Sequence, residues 1–316
     1  MRTPLFRLNI DGNSNVYLKD ESSNPTNTFK DRLAELAISS AVNPTLFASI
    51  SYGNTAVSFA HRLSDDPNHI FLAFVPNGFK NFVFGPSSFG TFIKGQDYLN
   101  FILSKKSHVI EVDLMDQILR PADLKAMADM HGIGKSLEFC DVTEGLEQPA
   151  YAAIVEEALM QMPIHPDYCV IQFGAGILAN ETIDVLRRIC RHTKIFPIST
   201  PDPESIAKML FGPIWVDSKE LRRDGFAPNR HQLPDRTGAV RPPYKVFLVT
   251  EDAIEAGLKI ASDNSISAEP SGAASLGFVR SLRTIDPNYS PSQHSVLLVN
   301  TGNGIDYIRG HSLNAF

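Results

Sequence analysis

The chain has 316 residues, 43% of them hydrophobic and 20% charged, enough for two packed domains or one large one with a core that needs no staples. A net charge of -6 and a pI near 5.8 argue against a nucleic-acid or anionic-membrane surface. Three cysteines without a C-x-x-C pair exclude a disulfide framework and a cysteine zinc site. No stretch approaches the ~18 apolar residues of a membrane span, and the first residues lack a signal-type apolar core, so a cytoplasmic protein is expected.

Short apolar runs predict strands at 16–19, 46–50, 70–75, 108–112, 168–172, 194–198, 245–249 and 296–299. Helical spacing, as in Leu33, Leu36 and Ala37 or Val57, Ala60 and Leu63, predicts helices at 31–40, 55–63, 96–105, 122–131, 150–160, 182–191, 252–261 and 272–283. This alternation reads as an α/β protein with mostly parallel sheets. Ligands of open parallel sheets sit at the carboxyl ends of the strands, here the loops after Ile50, Gln172 and Val299. Two segments resist the pattern: the Phe-rich 77–93, and 217–243, which is polar and carries several Pro and Arg.

The first motif runs from Lys19-Asp20-Glu21 through Asn24-Pro25-Thr26-Asn27-Thr28-Phe29 to Lys30-Asp31-Arg32. It breaks after a strand and opens a helix near Lys30. An amine at a helix N-terminus faces the positive end of the dipole, which favours the neutral form that attacks an aldehyde. The bland alternative is a surface lysine paired with Asp31. The second motif, Ser51-Tyr52-Gly53-Asn54-Thr55, is a strand-to-helix turn that gathers backbone N–H groups suited to a carboxylate.

The third is Gly174-Ala175-Gly176-Ile177-Leu178-Ala179 after strand 168–172. It fits a phosphate cradle, a plain packing turn, or a dinucleotide fingerprint, which would make the protein a nicotinamide-dependent oxidoreductase. That fingerprint asks for an acidic residue after the next strand, where only Asp202 stands, beyond Ser199-Thr200-Pro201. The fourth motif is Glu269-Pro270-Ser271-Gly272, and the last strand then runs into Asn300-Thr301-Gly302-Asn303-Gly304.

Taken in order, these strings resemble the pyridoxal-phosphate-dependent fold-type-II (tryptophan synthase β-like) family, in particular its threonine synthase branch. That branch writes Asn-Pro-Thr-Gly-Ser/Thr-Phe-Lys-Asp-Arg around its cofactor lysine; here Asn27 replaces the Gly, and Asn is the next most tolerant residue for a left-handed turn. The opening Thr3-Pro4-Leu5 also matches, implying a complete catalytic portion.

The resemblance implies two α/β domains with pyridoxal 5'-phosphate in the cleft between them. The smaller (17–141) would carry the lysine and the carboxylate loop, and the larger (142–316 with the arm 1–16) most of the cofactor site. It implies Lys30 as Schiff-base lysine and catalytic base, and Ser51, Tyr52, Gly53, Asn54 and Thr55 as the substrate-carboxylate loop. Asn54 would also touch the cofactor's phenolic oxygen. Gly174, Ala175, Gly176, Ile177 and Leu178 would form the phosphate cradle, and the Thr301 hydroxyl would face the pyridine nitrogen.

A hydroxyl there lets the nitrogen stay neutral, which favours elimination and replacement over transamination. The implied reaction is lyase-type chemistry on a small amino acid, first of all O-phosphohomoserine and water to threonine and phosphate. The rivals are β-replacement of the cysteine synthase type and serine/threonine dehydration. A homodimer is expected by the same analogy. The chain departs from the family at 77–93, which precedes Lys94-Gly95-Gln96, and after Glu144-Gly145, where the usual Gln-Lys-Thr is missing.

Overall fold

The computed structural model describes residues 2–51, 53–85, 92–113, 119–142, 145–174, 176–200, 205–207 and 246–312. Its strands are β1 (Leu5–Ile10), β2 (Asn13–Asp20), β3 (Thr45–Ile50), β4 (Ile70–Pro76), β5 (Val83–Phe84), β6 (Ile93–Lys94), β7 (His108–Val112), β8 (Glu138–Asp141), β9 (Tyr168–Gln172), β10 (Lys194–Ser199), β11 (Phe247–Leu248) and β12 (Val296–Asn300). Its helices are α1 (Lys30–Ser40), α2 (Asn54–Arg62), α3 (Gly95–Ser104), α4 (Pro121–Met130), α5 (Glu147–Gln161), α6 (Ile177–Ile189), α7 (Glu251–Asp263), α8 (Pro270–Phe278), α9 (Leu282–Ile285) and α10 (Gly304–Ser312). No helix among the described residues is long and apolar enough to cross a membrane.

The chain forms two compact units. One contains Met1–Ser23 and Tyr151–Asn303 with Gly85; the other contains Asn24–Phe84, Phe92–Ala150 and Gly304–Phe316. The division falls elsewhere than the expected boundaries at 17 and 141. Residues 17–20 lie in β2, which pairs in parallel with β12 and so stays in the larger sheet. Residues 304–312 form α10, which packs on α3 of the other unit.

The larger sheet has the order β1-β2-β12-β9-β10-β11, parallel except for the β1–β2 hairpin. Asp11 and Gly12 turn that hairpin with φ of 50° and 83°. Val16, Leu18, Val170, Ile198 and Leu298 build its core with Ala273, Leu276 and Phe278 of α8. These residues form buried parallel strands, which explains why their sequences are continuous apolar runs.

The other unit centres on β7-β4-β3-β8, all parallel. Its core joins Leu33 and Ala37 of α1 to Phe47, Phe59 and Phe71, with the Phe59 and Phe71 rings stacked at 5.0 Å. In both units the motif loops leave the carboxyl ends of parallel strands.

Candidate active site

The lysine segment is held by its neighbour. Asn27 takes a left-handed conformation, φ 58°, and its N–H donates to the Asn24 carbonyl at 2.9 Å. Asp31 is fully buried rather than paired with Lys30 at a surface. It accepts from the Thr26 N–H at 2.7 Å and the Thr26 hydroxyl at 2.9 Å, and that hydroxyl also lies 3.0 Å from Ser58 Oγ. Burial pushes the Asp31 carboxyl above its ordinary range, and the Thr26 and Ser58 hydrogen bonds pull the other way. Asp31 therefore locks the turn that presents Lys30.

Lys30 opens α1. Its Nζ lies 3.4 Å from Glu147 Oε1, with side chains 20% and 6% exposed, and 4.7 Å from the Phe29 ring centroid. The amine is thus reachable, while the carboxylate beside it is buried. Glu147, unlike the helix start and Asp31, is not evident as a neighbour of Lys30 from the sequence. The only signal was its place three residues after Glu144, which itself lies outside the described residues.

The second motif leaves β3. Ser51 Oγ accepts from the N–H groups of Gly53 and Ala56, both at 3.2 Å, so this hydroxyl shapes the turn from within. Gly53 has φ 141°, and a Cβ on it would meet Tyr98 Cε1 at 2.7 Å. Asn54 begins α2 half-buried and Thr55 is buried behind it. Tyr52 lies outside the described residues.

In the larger unit, β9 and β12 are parallel neighbours, so Gly174 and Thr301 leave adjacent strand ends. Gly176, φ 90°, is the N-cap of α6, so the first helical N–H groups, including those of Ile177 and Leu178, are without intrahelical acceptors. Ala175 lies outside the described residues, as does Asp202, on which the dinucleotide alternative depended.

Gln172 ties this edge together. Its Nε2 donates to the carbonyls of Ser271 (3.2 Å), Gly272 (3.0 Å) and Val299 (2.8 Å). Asn300 Nδ2 donates to Asp20 Oδ1 at 2.7 Å and to the Ser267 carbonyl at 2.8 Å, and Asn300 Oδ1 receives the Gly302 N–H at 3.2 Å. A Cβ on Gly272 would stand 2.3 Å from Asn300 Oδ1, so the Glu269–Gly272 string needs its glycine to seat against the Thr301 turn. Thr301 is 7% exposed. Sequence reasoning passed over Gln172 and Asn300, although each is a polar residue closing a buried apolar strand, a position that demands partners.

No family model matches the chain, and no curated protein matches it. Solved structures do. O-ureido-L-serine synthase aligns over 99% of this chain and 93% of its own, at 15% identity and a TM-score of 0.64. A hydrogen sulfide-producing enzyme from Fusobacterium nucleatum aligns over 96% of both chains, at 18% identity and a TM-score of 0.65. Diaminopropionate ammonia lyase from Escherichia coli, solved with an aminoacrylate-PLP azomethine intermediate, aligns over 98% of this chain and 86% of its own, at 16% identity and a TM-score of 0.65. At these identities the likeness speaks for the fold: the chain has the mainly parallel, fold-type-II α/β architecture of these enzymes.

Proposed function

We propose that this protein is a pyridoxal-phosphate-dependent enzyme that carries out elimination or replacement on a small amino acid, with Lys30 as its cofactor lysine. The observation that carries the proposal is the reachable Lys30 amine at the start of α1, presented by the Asn27 turn and locked by Asp31. Each unit, taken by itself, holds groups of the kind the cofactor needs. One has the Lys30 amine for the aldehyde; the other has Gly174 and Gly176 with the N–H groups of Ile177 and Leu178 at the start of a 13-residue helix for the phosphate dianion, and the Thr301 hydroxyl that the resemblance assigns to the ring nitrogen. When bound, pyridoxal phosphate supplies an aldehyde that joins amines and a ring that draws electrons from the adjacent carbon.

The chain's own residues do the rest. The Ser51–Thr55 loop would orient the substrate carboxylate through the N–H groups of Asn54 and Thr55 that open α2, while Ser51 Oγ engages the Gly53 and Ala56 N–H groups and holds the turn in shape. Lys30 Nζ would accept the substrate Cα proton as general base and hand it on to the leaving group or the product.

Our first choice of reaction is O-phosphohomoserine and water to threonine and phosphate, supported by the Lys19-Asp20-Glu21 and Thr301 motifs of the threonine synthase branch. A second reading, β-replacement or serine/threonine dehydration, draws support from the structural neighbours, which include a serine-derivative synthase and an ammonia lyase. We further propose a homodimer, by analogy with the family, and a cytoplasmic location, which is the expectation from the sequence. The test is a panel of O-phosphohomoserine, O-phosphoserine, O-acetylserine, serine and threonine, assayed for phosphate, acetate and keto acid. Phosphate release with threonine formation supports the first reading; keto acid from threonine alone replaces it with dehydration.

A further inference from the structure

The amine of Lys30 ends a chain with four rotatable bonds, yet the fold gives it a defined seat. Glu147 Oε1 lies 3.4 Å away on one side, and the Phe29 ring centroid 4.7 Å away on another. Glu147 is itself well placed to be a fixed charge. Its side chain is 6% exposed, and it occupies the first turn of α5, where the positive helix end stabilises a carboxylate. A carboxylate buried to this degree is costly unless compensated, and Lys30 compensates it.

We propose that Glu147 is the positioning residue for Lys30, the seat of its amine whenever Nζ is not joined to the cofactor and the counter-ion for the ammonium that forms there during turnover. The proposal deepens the functional reading above and rests on it. In the step concerned, the substrate Cα–H bond breaks and its electron pair stays with the substrate. The proton bonds to the Nζ lone pair, and the new positive charge lies beside the Glu147 carboxylate. When the proton is passed to the leaving group or the product, the amine is neutral again and still seated. The Phe29 ring and the positive end of a helix carry no formal negative charge, whereas the Glu147 carboxylate 3.4 Å from Nζ does.

The experiment compares wild type, Glu147→Gln and Glu147→Asp, each with and without cofactor. Without cofactor, brief reductive methylation followed by peptide mass spectrometry measures the reactivity of Lys30 alone. An ion-paired amine reacts slowly, so Lys30 labels several-fold faster in Glu147→Gln and near the wild-type rate in Glu147→Asp. With cofactor, borohydride fixes pyridoxal phosphate on Lys30 in all three proteins. In Glu147→Gln kcat falls by about 100-fold with KM nearly unchanged, as expected for a misplaced base, and Glu147→Asp recovers roughly tenfold of it. Equal labelling in wild type and Glu147→Gln, or an unchanged kcat, overturns the proposal. Should wild type take no cofactor on Lys30, the functional reading falls and the catalytic part of this proposal with it, and the labelling comparison alone then decides whether Glu147 seats the amine.

Discussion

A methyl group on Gly53 would lie 2.7 Å from Cε1 of Tyr98, a ring that is itself fully buried. Tyr98 cannot retreat, because Phe79 and Phe84 pack around it with ring centroids 6.3 and 5.1 Å away. The Phe-rich segment that broke the sequence pattern thus supplies, at Phe79 and Phe84, the aromatic bed under the candidate carboxylate loop. Gly53→Ala meets both this ring and a positive φ, which together cost about 1–3 kcal/mol. The expected result is a lowered denaturation midpoint and a KM for the amino-acid substrate raised about tenfold or more, measured by urea titration and steady-state kinetics.

Lys19 is fully buried and ion-paired with Glu157, while also donating to the Thr3 carbonyl at 2.6 Å and to Gln161 Oε1 at 3.0 Å. Thr3 returns its N–H to Glu157 at 2.8 Å and its hydroxyl to Glu21 at 2.7 Å. This network fastens the start of the chain to β2 and α5. Lys19→Met removes this ion pair with Glu157 and the buried hydrogen bonds of its amine, and is expected to cost about 3–5 kcal/mol in chemical denaturation. Replacing Glu157 as well is expected to return part of that loss.

Asp286 gives a pH signature. Its pKa is pulled from an ordinary 3.8 to about 2 by hydrogen bonds from Lys194 Nζ at 2.5 Å, the Asn288 N–H at 3.0 Å and the Tyr168 hydroxyl at 3.0 Å. A depressed folded-state pKa stabilises the fold above the unfolded value, and that contribution fades as pH falls from about 4 toward about 2. Asp286→Asn should flatten the acid limb of stability in that window and leave the slope near neutrality unchanged, as measured by denaturant midpoints across pH.

The cysteines report on burial. The Cys169 thiol is completely buried, which pushes its pKa up to about 12, and burial raises that of Cys190 as well. Cys140, in β8, is half-buried. A thiol reagent at neutral pH is expected to modify Cys140 first, with Cys169 and Cys190 reacting only on unfolding.

Much of the fold was legible because buried parallel strands announce themselves as apolar runs: the bounds predicted for β7 and β9 coincide with those in the structure. β1 and β8 were not among the expected strands. Leu5–Ile10 alternates Phe6, Leu8 and Ile10 with polar residues, a half-buried edge pattern rather than a run, and Glu138–Asp141 has only Phe139 and Cys140 to signal it. Helix starts were read late, by five residues at α6, because Gly and Asn mask where a helix opens when tertiary contacts fix the turn. The residues proposed for the site, around Lys30, Ser51–Asn54 and Thr301, come from contiguous strings that a sequence displays directly. The site was illegible where partners are remote in sequence, as with Glu147 beside Lys30 at a separation of 117 residues, or Gln172 bonding to Val299 at 127.

The central claim is a covalent bond between Lys30 and pyridoxal phosphate, and its most direct measurement is peptide mass spectrometry after borohydride reduction of the purified protein incubated with the cofactor. The account predicts a visible absorbance band that reduction bleaches, a single pyridoxyl adduct on the peptide containing Lys30, and neither band nor adduct in Lys30→Ala. A protein that shows no band, or carries the adduct on another lysine with Lys30 unmodified, contradicts it.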